Sequence, residues 1–296
     1  MDQVTYKDRA TGQVITEPLL HDGYQRWILT SSVGRALFNG VLNNSFFCGI
    51  YGKLQDTKRS REKILDFVSQ NDIDAREAEL ELDEYETFNA FFTRKLRAGA
   101  RPFDPDPEVF CCPADGKVLV FPKLAAETRL LLKGYSMSIS SLLGSGVDTE
   151  RYAEGAALVI RLAPYDYHRF HFPDGGEAAL AQEILGRYHI VNPLGLATVP
   201  DAFIRNKRSV TALNSEHFGQ VSYVEVGGFA VGTIVQTYAP GEVTRGQEKG
   251  YFKFGGSTLV LIFEEGSIRF DEDLIKDSEA GMEVQVRAGS RVGRRG

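Results

Sequence analysis

The sequence predicts an α+β fold, a helical N-terminal layer followed by a β-rich, barrel- or sandwich-like body, and three observations carry that reading. Before about residue 100, apolar residues recur at helical spacing. Beyond about Pro102 the chain turns to short β-branched and aliphatic runs separated by glycine or proline. That punctuation is all-β in character and does not alternate helix with strand, as a doubly wound chain would. Two regions follow: residues 1–100, helical and expected to associate with a membrane, and residues 101–296, β-rich and expected to carry the chemistry.

From Tyr24 to Leu42 the residues Leu29, Val33, Leu37 and Val41 recur every four positions, and Trp27, Ile28, Phe38 and Leu42 widen the stripe into an amphipathic helix. The connection that follows, Phe46-Phe47-Cys48-Gly49-Ile50-Tyr51, is unusually apolar and suits either core docking or a bilayer surface. Ser60 reads as the cap of a short helix through Val68, and the acidic stretch Glu77 to Glu86 as a solvated loop or weak helix. Thr87 caps the next helix, where Phe88, Phe91, Phe92 and Leu96 form one stripe that Gly99 ends. The expected strands are Lys117 to Phe121, Arg129 to Leu132, Ala157 to Leu162, Ile184 to Val191, Val221 to Val226, Ala230 to Val235, Tyr251 to Phe254, Thr258 to Phe263 and Glu283 to Val286. Ser138 to Leu143 reads as one helical turn.

With 296 residues, 43% of them hydrophobic and 25% charged, the chain can bury a sizeable core. Lys plus Arg total 34 against 40 Asp plus Glu, a net charge of -6 that argues against a nucleic-acid partner. Arg287, Arg291, Arg294 and Arg295 have no acid among them and read as a solvated tail, with weak contact to anionic lipid as the other reading. Cys48 stands alone and Cys111 and Cys112 are adjacent, so no disulfide framework is expected, and no ligand spacing suggests a metal. The N-terminus lacks a signal-peptide pattern, and no apolar run approaches the ~18 residues of a spanning helix. Membrane contact is therefore expected to be peripheral.

The chemistry collects in three separated segments. In Gly250-Tyr-Phe-Lys-Phe-Gly-Gly-Ser-Thr-Leu-Val-Leu-Ile-Phe263, Gly255-Gly256 breaks an apolar run immediately before Ser257. Taken alone, that is ordinary turn chemistry. Cys112-Pro-Ala-Asp-Gly-Lys117 puts Asp115 in a turn leading into a strand, and Tyr165-Asp-Tyr-His-Arg-Phe-His-Phe-Pro173 holds two of only five histidines, His168 and His171. Together, Asp, His and Ser are the parts of an acid-oriented general base acting on a hydroxyl.

In order along the chain, Thr87-Phe-Asn-Ala-Phe-Phe-Thr-Arg-Lys-Leu96, Pro113-Ala-Asp-Gly116, Tyr167-His-Arg-Phe-His-Phe-Pro173, Val191-Asn-Pro-Leu194, Asn206-Lys-Arg208, Val224-Glu-Val-Gly-Gly228 and Gly250 to Thr258 resemble the phosphatidylserine decarboxylases. The resemblance runs from about Thr87 to about Phe263. It implies self-cleavage between Gly256 and Ser257 into a long β chain (1–256) and a short α chain (257–296), with Asp115 orienting His171 and His171 taking the Ser257 proton. Ser257 would become a covalent pyruvoyl group, the cofactor, which forms a Schiff base with the serine headgroup so that carbon dioxide can leave. His168 would hold the substrate carboxylate or return the proton. The family usually has leucine where this chain has Gly255, which adds backbone freedom at the cut. The implied partners are phosphatidylserine, a membrane surface on the cytoplasmic side of the cell membrane, the two chains of one precursor, and a second copy in a possible homodimer. Two other readings compete: a pyruvoyl decarboxylase of a soluble amino acid, and a lipoyl-like carrier suggested by glycine-rich strands such as Val226 to Ile234. No lysine sits at an evident hairpin tip to serve such a carrier.

Overall fold

A computed structural model describes residues 4–17, 22–124, 129–132, 135–229 and 233–296. Its centre is a mixed sheet of 11 strands among the described residues. From one edge the order is Gly241–Val243, Gly176–Ala178, Arg208–Ser215, Gly219–Gly227, Ser257–Phe263, Ala156–Leu162, Gly116–Phe121, Glu283–Val286, Thr5–Asp8 and Val14–Thr16, with Gln182–Ile184 also paired to Arg208–Ser215. Every pairing is antiparallel except that of Thr5–Asp8 with Glu283–Val286. The sheet is sandwich-like and does not close into a barrel.

The strand beginning at Ser257 lies in the middle of this sheet, with Ser257 opposite Gly227 on one side and Leu162 on the other. All of its side chains are buried. Leu259, Leu261 and Phe263 enter one core with Leu158, Ile160, Val118 and Phe252, while Val260 and Ile262 enter a second with Ala157, Val159, Val224 and Phe203. Strand alternation sends neighbours to opposite faces, so a strand covered on both faces reads as the continuous apolar run seen in the sequence.

A smaller sheet orders Ile234–Gln236, Glu248–Phe252 and Arg169–His171. It places the histidine-bearing segment beside the strand that leads into the Gly255-Gly256 turn, with Glu248 opposite His171 and Tyr251 opposite Arg169.

Several elements differ from expectation, each for a local reason. The single helix from Tyr24 to Leu42 is broken into Asp22–Thr30, Ser32–Leu37 and a wide turn over Phe38–Leu42, followed by the helix Ser45–Gln55. Polar caps restart the chain: Ser31 Oγ accepts from Gly34 N at 2.8 Å, and Asn44 Oδ1 from Phe47 N at 2.9 Å. Thr87 caps its helix as expected, accepting from Ala90 N at 3.1 Å, but that helix ends at Phe92, and Leu96 instead bridges to Ala78. The expected strand from Ile184 to Val191 stops at Ile184 because side-chain amides take its ladder positions: Asn43 Oδ1 accepts from Tyr188 N at 2.6 Å and Asn206 Oδ1 from His189 N at 2.7 Å. Of the strand from Ala230 to Val235, residues 230–232 lie outside the described residues, and Ile234–Gln236 forms a strand.

The N-terminal layer also carries two strands, Thr5–Asp8 and Val14–Thr16, that finish the main sheet. Glu17 fastens them, sharing Arg161 with Glu283 in a buried cluster at 2.6 and 2.7 Å. The arginine-rich end is no free tail. Arg291–Arg295 is a strand paired on both sides, and acids distant in sequence meet the four arginines: Glu77 at Arg287, Asp271 at Arg291, Asp106 at Arg294 and Glu108 at Arg295.

Candidate active site

The approach to Ser257 depends on two glycines. Gly255 has φ +138°, a backbone that L side chains rarely adopt. At Gly228 a Cβ would fall 2.5 Å from the Gly256 carbonyl oxygen, so only glycine lets that carbonyl take its place. Ser257 itself is fully buried, and its Oγ has no hydrogen-bond partner among the described residues.

The Phe88–Phe92 helix braces this turn. Asn89 Oδ1 accepts from Phe254 N at 3.1 Å, and the rings of Phe88 and Phe92 each meet Phe254 edge-on at 5.1 Å. Phe92 also packs on His168, with ring centroids 4.1 Å apart.

His168 is the site histidine in contact with the turn. Its Nδ1 lies 2.9 Å from the Asp166 carbonyl and its Nε2 3.2 Å from the Gly255 carbonyl. Complete burial pushes its pKa down to about 3, with the Arg94 and Lys117 charges adding to the shift, so the ring is neutral. Two carbonyls face a ring with one N–H, so only one of the two contacts is a hydrogen bond. The Asp166 carboxylate is held by the buried Lys117 ammonium at 2.9 and 3.0 Å.

His171 sits on the neighbouring strand, with Nδ1 3.0 Å from the Gly246 carbonyl and Nε2 3.3 Å from the Tyr167 hydroxyl. A carbonyl only accepts, which fixes the Nδ1–H tautomer and leaves Nε2 as the basic nitrogen. Burial lowers its basicity, and the charges of Glu248 and Asp115 oppose that shift.

Asp115 is buried and already engaged. Arg101 reaches its two oxygens with contacts of 2.7 to 3.1 Å, and Ala288 N donates to Oδ1 at 2.8 Å. The loop carrying Asp115 is tied to the histidine segment through the backbone, His171 N to Pro113 O at 2.9 Å. The fold thus gathers the Asp115 loop, both histidines and the glycine turn, but Asp115, His171 and Ser257 are not linked by hydrogen bonds in this conformation. Arg101 holds the acid, and Tyr167 holds the basic nitrogen of His171.

Sequence reasoning missed Asn89, Phe92, Gly228, Arg101 and the Lys117–Asp166 pair. Asn89, Phe92 and Gly228 lie inside quoted motifs, so their segments were legible while their contacts were not. Arg101 carried no signal beyond its place before Pro102.

A profile of the phosphatidylserine decarboxylase family matches residues 88–294. A phosphatidylserine decarboxylase proenzyme of Clostridium novyi (strain NT) is 41% identical over 278 residues, 94% of this chain and 94% of the relative. Another, from Chlamydia trachomatis serovar D, is 40% identical over 294 residues, 99% of this chain and 98% of the relative. A third, from Clostridium botulinum (strain Alaska E43 / Type E3), is 37% identical over 287 residues, 97% of both chains. A sheet built around a buried, glycine-flanked serine, together with these matches, defines an enzyme of the carboxy-lyase class. The chain belongs to the phosphatidylserine decarboxylase family.

Proposed function

We propose that the chain cuts itself between Gly256 and Ser257 and converts phosphatidylserine to phosphatidylethanolamine and carbon dioxide with a pyruvoyl group made from Ser257. The observation that carries this reading is the Ser257 hydroxyl, fully buried without a partner among the described residues, behind the Gly255-Gly256 turn. A buried unpaired polar group costs about 1–3 kcal/mol, and function is one reason such a group persists. The same features fit a pyruvoyl group at residue 257: the hydroxyl is bound to nothing that would have to be broken, and Gly228 leaves space over the adjoining carbonyl.

In the cleavage, Ser257 Oγ attacks the Gly256 carbonyl carbon as His171 Nε2 takes the hydroxyl proton. The amide C–N bond breaks, the proton passes to the leaving amine, and an ester joins the two pieces. Loss of the Ser257 Cα proton expels the Gly256 carboxylate, and hydrolysis of the resulting dehydroalanine releases ammonia and leaves the ketone. His171 reaches this state by exchanging Tyr167 for the hydroxyl. Asp115 assists as a buried negative charge, its loop fixed to the His171 backbone.

The pyruvoyl group would supply an electron sink for the pair released with carbon dioxide. His168 stands beside the carbonyl that precedes the cut, where it would either donate its one N–H to the substrate carboxylate or, once protonated during turnover, return the proton to the substrate carbon. Residues 1–100 would bring the site to the cytoplasmic membrane surface. The support is an exposed apolar ridge of Val33, Leu37, Val41, Phe46, Ile50 and Leu54; among the described residues no helix is long and apolar enough to cross a bilayer.

Intact mass under denaturing conditions tests the cleavage: wild type should give residues 1–256 and a 40-residue fragment blocked at its N-terminus, and Ser257→Ala a single chain. A fragment beginning with free serine removes the pyruvoyl reading. Turnover of a free amino acid at much higher kcat/KM than phosphatidylserine would transfer the activity to a soluble substrate.

A further inference from the structure

Arg94 lies two residues beyond the ring that packs on His168, inside the Thr87 to Leu96 motif, and the proposed chemistry leaves it without a task. It is 5% exposed, its Nη1 is fully buried with no hydrogen-bond partner among the described residues, and its guanidinium lies 4.9 Å over the Phe91 ring. Tyr85 packs edge-on against the same ring at 5.5 Å, and its buried hydroxyl, beside the Leu80 backbone N–H, finds no acceptor among the described residues. Two donors are therefore unsatisfied around one aromatic ring. The nearby carboxylates do not supply the missing acceptor, since Arg101 holds Asp115 and Lys117 holds Asp166. A buried guanidinium left in this state needs an anion, and its planar fork suits phosphate oxygens.

We propose that Arg94, with Tyr85 beside it, is the seat for the phosphodiester of the substrate headgroup. This rests on the decarboxylase reading above, whose substrate carries two anions. The carboxylate is the poorer choice: its charge leaves during the reaction, so a guanidinium on it would stabilise the ground state more than the transition state. The phosphodiester keeps its charge throughout, so holding it anchors the headgroup without opposing the chemistry. Phe92 and Asn89 tie this helix to Phe254 at the turn. Cleavage frees the chain end at Gly256, and withdrawal of that end from Phe92 and His168 would open the route to Arg94.

The test compares phosphatidylserine with its methyl phosphotriester, which has no charge at phosphorus, at equal dilution in the same neutral detergent micelles. Mature wild type should prefer the diester by roughly 10- to 100-fold in kcat/KM, the range of one charge-assisted hydrogen bond or two, and mainly through KM. Arg94→Met and Arg94→Lys should still be cut at Ser257; the methionine variant should lose nearly all of the preference and the lysine variant part of it. Tyr85→Phe should weaken the preference less. If Arg94→Met does not fold, Arg94→Lys and wild type carry the comparison. Equal use of both lipids by wild type, or a preference that survives in the Arg94 variants, overturns the seat and leaves a structural arginine satisfied by water. Failure of mature wild type to decarboxylate phosphatidylserine at all would instead remove the decarboxylase reading, and the seat with it.

Discussion

The imidazole of His168 lies across the carbonyl of Gly255, with Nε2 3.2 Å from that oxygen, two residues ahead of Ser257. This contact joins the histidine motif to the glycine turn, and it belongs to His168, not His171. Asp166 O at Nδ1 and the Phe92 ring fix the remaining sides of the imidazole.

Because His168 is buried and neutral, it should link stability to pH. Its pKa falls from 6.5 to about 3 on folding, so between those values the unfolded chain binds a proton that the folded chain refuses. Stability contributed this way is present above pH 6.5 and is lost as pH falls toward 3, by at most about 1.4 kcal/mol per pH unit for one proton. Urea unfolding at pH 7 and pH 5 should show wild type losing about 2 kcal/mol more than His168→Gln. Equal losses would place another group in control.

The glycines of the turn should separate sterically. A Cβ at Gly228 would press on the Gly256 oxygen at 2.5 Å and on Val191 Cγ2 at 2.9 Å, whereas one at Gly256 would meet only Val191 Cγ2 at 3.9 Å. Gly228→Ala should therefore cost about 1–3 kcal/mol and slow cleavage sharply by displacing the carbonyl under attack. Gly256→Ala should keep wild-type stability. Thermal melts and a cleavage time course check both, and equal stabilities for the two variants would contradict the close approach.

How much of this was legible in the sequence depended on the range of the interaction. The Ser257–Phe263 strand, the Thr87 cap and the order of the motifs are local patterns, and they stand as read. The strands Thr5–Asp8 and Arg291–Arg295 are paired with partners far along the chain, and their charged residues hide the alternation that marks a strand. The same limit applied at the site. Residue types nominated Asp115, His168, His171 and Ser257, but that Arg101 grips Asp115 while Tyr167 faces His171 is a matter of packing that no spacing encodes.

Exposure divides the apolar segment that composition left whole. Phe46 is 78% exposed and Ile50 faces outward with it, while Phe47 packs against the core of Ile28, Leu29 and Phe38. Lys53 at the end of the Ser45–Gln55 helix and Lys58, Arg59 and Arg61 just after it in sequence are exposed. Phe46→Ser with Ile50→Ser should weaken flotation with anionic liposomes at unchanged melting temperature, and added salt should weaken it further. Phe47→Ser should instead lower the melting temperature. Unchanged flotation in the double variant would give the ridge to another partner.

Maturation tests the triad against the contacts that now occupy it. Asp115 is buried against Arg101, so Arg101→Met leaves an unpaired carboxylate and should destabilise the fold by about 3–5 kcal/mol. Asp115→Asn keeps the shape but removes the charge that supports His171, and should cut slowly while remaining folded. His171→Ala removes the only base proposed for Ser257 and should stay a single chain with native circular dichroism. Tyr167→Phe frees His171 Nε2 from its present partner, so cleavage should match or exceed wild type if that nitrogen must turn to the serine. His168→Ala should mature and then fail to decarboxylate, which assigns the two histidines to successive reactions. Normal cleavage in His171→Ala would transfer the role of base to the histidine already lying on the Gly255 carbonyl, and loss of cleavage in His168→Ala alone would do the same from the opposite side.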